Sequence, residues 1–85
     1  MRLDKWLKVS RLIKRRTVAQ EACDGGRVSI NGAVAKPSKE VKVGDIISIS
    51  FGAKTVKAEI LSVQETVRKD DAAAMYREIG EHVDI

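Results

Sequence analysis

Gly25-Gly26-Arg27-Val28-Ser29-Ile30-Asn31-Gly32 is the stretch on which the fold turns. Before it, apolar residues recur every three or four positions; after it, they recur every two. The paired glycines predict a helix stop, because a left-handed residue after the last turn is least costly as glycine. Val28 and Ile30 alternate with Arg27 and Ser29. Asn31-Gly32 is the strongest short hairpin signal, since both residue types accept the positive φ that a two-residue turn requires. The stretch divides the chain into a helical first part and a β-structured middle.

Upstream, Val18, Ala19, Ala22 and Cys23 form a narrow face of small residues on a helix that ends near Asp24. Its start falls at Arg15 or Thr17; Thr17 followed three residues later by Gln20 fits a capping box. Before it, Leu3, Trp6 and Leu7, and past Ser10 also Leu12 and Ile13, keep helical spacing. They predict a first helix of about two turns and a short connection. Trp6 belongs to the apolar stripe, and Arg2, Lys5 and Lys8 fall opposite. Asp4 reads as a helix-starting acid or a partner for Lys8.

Downstream, Lys36-Pro37-Ser38-Lys39 reads as a loop and Val43-Gly44-Asp45 as a turn. Ile47, Ile49 and Phe51 alternate with serines, and after a turn at Gly52-Ala53-Lys54 so do Val56, Ala58 and Ile60 with Lys57 and Glu59. These segments predict a small, curved antiparallel sheet. Gln64 to Lys69 reads as a linker to a final helix begun by Asp70 and Asp71, with Ala72, Met75, Tyr76 and Ile79 as its apolar stripe and a fraying end after Gly80. The fold class is α+β: two N-terminal helices on a curved antiparallel sheet, plus a C-terminal helix. Residues 1–63 form the main domain and residues 64–85 the linker and amphipathic helix.

Charge separates the function classes. The 85 residues carry a net charge of +4. Residues 1–16 hold seven cations, Arg2, Lys5, Lys8, Arg11, Lys14, Arg15 and Arg16, against Asp4 alone, a local +6. Residues 17–45 balance, and residues 46–85 sum to −2. Such one-signed crowding repels itself and suits a polyanionic partner. If Arg15 and Arg16 begin the second helix, their charge and its backbone N–H groups converge on one phosphate. Trp6, Phe51 and Tyr76 all fall on apolar stripes, so a base-stacking platform is not expected, and recognition by shape and backbone is.

Catalysis finds no support. The single histidine, His82, lies near the C-terminal end, and no phosphate loop, metal-ligand spacing or dinucleotide fingerprint is readable. No cofactor and no metal are expected. Cys23, the one cysteine, suits a small buried side chain. Without a long apolar run or a leader, the expected place is the cytoplasm, with no membrane contact.

The two short helices, the glycine break, Arg27-Val28-Ser29-Ile30-Asn31-Gly32 and Val43-Gly44-Asp45 closely resemble the RNA-binding domain named after small-subunit ribosomal protein S-four, whose hallmark is the two-helix alpha-L motif. Arg2-Leu3-Asp4-Lys5-Trp6-Leu7, Lys36-Pro37-Ser38-Lys39 and Ala72-Ala73-Ala74-Met75-Tyr76 make the chain similar to the heat-shock ribosome-associated family, and in particular to its ribosome-quality-control subgroup, which lacks a basic extension. The resemblance spans nearly the whole chain. It implies binding to large-subunit rRNA and peptidyl-tRNA on obstructed large ribosomal subunits, and support for C-terminal alanine tailing of the stalled nascent chain, alongside an alanine-tailing factor on the same particle. It also implies RNA contacts at Arg2, Lys5, Arg11, Lys14, Arg15 and Arg16, led by Arg2 and Arg16, and Lys8 joins them by its place in the basic block. Where the family often has Ser or Thr at the start of its second helix, this chain has Arg15. A general rRNA or tRNA assembly factor and a detached appendage of an RNA-modifying enzyme remain as alternatives, and a monomer is expected.

Overall fold

A seven-residue helix is too short to hold itself in water, so helix α1, Leu3–Val9, needs outside partners. Its first N–H groups find them in the Lys36 to Lys39 loop: Leu3 donates to the Lys39 carbonyl at 2.8 Å and Asp4 to the Pro37 carbonyl at 3.1 Å. Val41 N–H donates back to Met1, and Arg2 bridges Glu40. The loop is thus the cap of α1, which replaces the missing side-chain cap. The computed structural model describes residues 1–65 and 67–79.

Helix α2, Arg16–Asp24, begins between the two starts read from the sequence. No capping box forms, because Arg15 is the cap residue and Thr17 already lies inside the helix, while the Gln20 side chain is turned to Asp4. At its end Gly26 takes φ +75°. Gly26 N–H donates to Cys23 and Arg27 N–H to Ala22, the paired bonds of a Schellman ending. Ala19, Ala22 and Cys23 are buried as expected, but Val18 is 45% exposed, since it sits at the margin of that narrow face.

Strands β1 (Val28–Ile30), β2 (Ala33–Val34), β3 (Ile46–Phe51), β4 (Lys54–Ile60) and β5 (Tyr76–Ile79) form one antiparallel sheet in the order β2-β1-β3-β4-β5. Asn31 and Gly32, at φ 53° and 88°, make the two-residue turn between β1 and β2. Val28 pairs Ile49, and Ile30 and Ala58 flank Ile47, so one face of three strands is apolar and buried under the helices. Phe51 follows the same alternation yet is 45% exposed. It lies at the hairpin tip, paired with Lys54, and not on the covered part of the stripe.

The expected C-terminal helix is a 3₁₀ helix, Lys69–Met75, and it stops before Tyr76. Ala72 and Met75, three apart, are both buried, as a three-residue repeat allows. Tyr76 to Ile79 are not helical: they pair with Ile60 to Lys57 as β5. Backbone groups of the β4 edge thus gain partners that four more helical residues would have left unpaired. Met75 accepts from Leu61 and Ser62 N–H at the junction. His82 and the end after Gly80 lie outside the described residues.

Candidate nucleic-acid interface

The apolar stripe of α1 fixes which side its cations face. Leu3, Trp6 and Leu7 are fully buried, and the Trp6 indole N–H donates to the Ser62 carbonyl at 2.8 Å. Trp6 also meets Tyr76 edge to face, with centroids 6.3 Å apart. Trp6 is therefore a core residue, as its stripe predicts, and α1 cannot roll about its axis. Lys8 is left exposed and Lys5 half-buried on the opposite side.

The seven cations fall into two groups and one single residue. Arg2 and Arg16 meet at Asp4, whose carboxylate is wholly buried. Arg2 grips it with two N–H groups, Nε to Oδ1 at 3.2 Å and Nη2 to Oδ2 at 3.1 Å. Arg16 Nη2 lies 3.4 Å from Oδ1, Gln20 Nε2 donates to Oδ2 at 2.9 Å, and the Lys5 N–H donates to Oδ1 at 2.8 Å. Asp4 thus joins the start of α1 to the first turns of α2. Burial pushes its carboxyl pKa up, but the hydrogen bonds from Gln20, Arg2 and Arg16 outweigh burial and hold it at about 2.

The second group surrounds a shallow cavity of about 250 Å³ lined by Lys8, Val9, Arg11, Lys14, Glu65 and Val67. Arg11, in the connection between the helices, has φ 64°, a left-handed conformation that costs a side chain about 1 kcal/mol. The bend lets Arg11 N–H reach the Lys8 carbonyl and Ile13 N–H the Leu7 carbonyl. Ser10, buried, supports it from below with its hydroxyl on the Leu7 carbonyl. Glu65 ion-pairs with Lys5, which holds the Glu65 carboxyl below the usual carboxylate range. Arg15 is exposed at the cap of α2 and joins neither group.

Asp4 stands in the first turn of α1, one of its two expected roles, but its ion-pair partners are not the expected one. It pairs with Arg2 and Arg16, not with Lys8. Spacing along one helix suggested Lys8, whereas the packing of α2 against α1 decides the outcome. Gln20 and Glu65 were missed as members of the face, because their partners lie 16 and 60 residues away. Cys23 is buried, and burial together with nearby Asp4 and Asp24 pushes its thiol pKa to about 11. No helix among the described residues is long and apolar enough to cross a membrane.

A basic pair of short helices, capped by a loop and laid on a five-stranded antiparallel sheet, defines a class of compact module, and the family model for the S4 domain matches residues 1–47. The chain belongs to the S4 domain family, among its members named RQC P-site tRNA stabilizing factor. The protein of that name from Halalkalibacterium halodurans is 59% identical over 76 residues, covering 89% of this chain and 86% of the relative. The one from Streptococcus pneumoniae is 52% identical over 81 residues, covering 95% and 92%. Among solved structures, the trimeric structure of Vibrio cholerae heat shock protein 15 superposes with a TM-score of 0.86 at 38% identity, covering 93% of this chain and 81% of that one.

Proposed function

We propose that this protein is a ribosome-quality-control factor without enzymatic activity, which binds rRNA and tRNA on obstructed large ribosomal subunits in the cytoplasm. It steadies the peptidyl-tRNA in the P site and so supports C-terminal alanine tailing of the stalled chain. It acts as a monomer that supplies affinity and geometry, with the chemistry performed by its partners on the particle. The observation that carries this reading is the cationic face of α1, α2 and their connection, held over most of its length by a rigid core, in a chain whose full-length relatives carry the name RQC P-site tRNA stabilizing factor.

Arg2, Lys5, Lys8, Arg11, Lys14, Arg15 and Arg16 are the proposed RNA contacts. Guanidinium forks fit phosphate oxygens better than ammonium groups do, and among the four arginines the family resemblance puts the weight on Arg2 and Arg16. Co-sedimentation with large subunits isolated after induced stalling tests the reading. The wild type pellets with subunits that carry peptidyl-tRNA, and Arg2→Ala and Arg16→Ala reduce the pelleted fraction while the melting curve stays cooperative. Equal pelleting of both variants rules out this face.

A further inference from the structure

We infer that Asp4 is a positioning residue for RNA binding: it clamps Arg2 and Arg16 side by side so that both guanidiniums present their remaining N–H groups to one stretch of sugar-phosphate backbone. The inference rests on the proposed RNA-binding reading and adds to it which group orders the contacts.

An acid in the middle of a basic face needs a reason. As a charge alone, Asp4 weakens attraction to a polyanion, since it cancels one of the seven cations around it. As a stabilising element it is inefficient, because a buried ion pair is often matched by apolar residues of similar volume. What the carboxylate supplies is geometry. Arg2 Nε and Arg16 Nη2 lie within 3.4 Å of the same oxygen, Oδ1. Two guanidiniums brought to one oxygen would swing apart in the absence of the anion between them.

The clamp leaves the arginines usable. A guanidinium has five N–H donors. Arg2 commits two to Asp4 and Arg16 one, and their side chains stay 51% and 43% exposed. The Asp4 oxygens are saturated by Arg2, Arg16, Gln20 and the Lys5 N–H, so the carboxylate itself presents nothing to a ligand. The outward N–H groups, already tethered through Asp4 before binding, lose less freedom on meeting a phosphate.

Affinity for purified bacterial large ribosomal subunits, measured over a potassium chloride series with thermal unfolding in parallel, tests the inference. Asp4→Asn is nearly isosteric and raises the net charge by one, so charge alone predicts tighter binding. Positioning predicts the reverse: binding about tenfold weaker at fixed salt, a loss of the size usual for coupled polar groups, and a shallower salt dependence. At low ionic strength, Asp4→Asn should add little to the defect of an Arg2→Ala/Arg16→Ala protein, because it acts through those two residues.

Binding by Asp4→Asn equal to or tighter than wild type overturns the inference, as does an undiminished Asp4→Asn loss in the doubly substituted background. If Asp4→Asn melts without a cooperative transition, Arg2→Lys and Arg16→Lys take its place, since they keep the charge and lose the fork. Weaker binding by these folded proteins is then expected, and wild-type affinity in both overturns the clamp. Absence of binding by the wild type is a different result: it sinks the RNA reading itself, and this inference falls with it.

Discussion

Asp4 carries its own pH signature. Its carboxyl sits at about 2 in the folded protein against an ordinary value of 3.8, so the folded state favours the ionised form. A lowered carboxyl stabilises the fold fully above the unfolded value and loses that contribution as pH falls toward the folded one. Urea denaturation between pH 4 and pH 2 should therefore show a loss of about 2 kcal/mol traceable to this group. Asp4→Asn should lack that portion of the acid slope, and an identical slope in the variant would contradict the assignment. Cys23 makes the opposite case. With its thiol pushed up to about 11 and its side chain buried, it stays protonated and shielded at neutral pH. Thiol reagents should label it slowly in the native protein and promptly in urea. The burial of Cys23 was readable from its small apolar neighbours, but the partners of Asp4 were not. The sequence around Asp4 offers Lys8 at helical spacing, and only the crossing of α2 over α1 brings Arg16 and Gln20 to it.

The elements differ in how far local sequence determines them. Asn31-Gly32 and Gly25-Gly26 dictate their turns through backbone conformation, which belongs to the residue itself, and both form as read. Gly26→Ala meets no neighbouring atom, so its whole cost is the left-handed backbone, about 1 kcal/mol, seen as a Tm lowered by roughly 5 °C. The alternation in β3 also holds at Ile47 and Ile49, because a one-residue slip would turn both out of the core. Ile49→Ala should cost about 2 to 4 kcal/mol by equilibrium denaturation, and a much smaller loss would show that the site is not packed as described. The segment from Tyr76 to Ile79 is the counterexample. Its apolar residues continue the spacing of Ala72 and Met75, and nothing within it marks a switch to strand. The free edge of β4 decides the matter, and that edge is a property of the assembled sheet. The polar face was legible in the same uneven way: all seven cations are readable as charge, but their division into an arginine pair on Asp4 and a cup around Glu65 depends on distant contacts.

Across the molecule, five to seven phosphate contacts imply a log-log salt slope of roughly −4 to −6 for RNA binding. A slope near zero in a potassium chloride titration would remove the electrostatic basis of the proposed function. The face proposed to make those contacts does not stand by itself. Helix α1 leans on the carbonyls of Pro37 and Lys39, and Trp6 anchors to Ser62 near the far end of the sheet. The partners that hold α1 come later in the chain than both helices, in the loop at Pro37 to Lys39 and at the Ser62 carbonyl. Cut short before that loop, the chain carries the same cations without the scaffold that gathers them on one face.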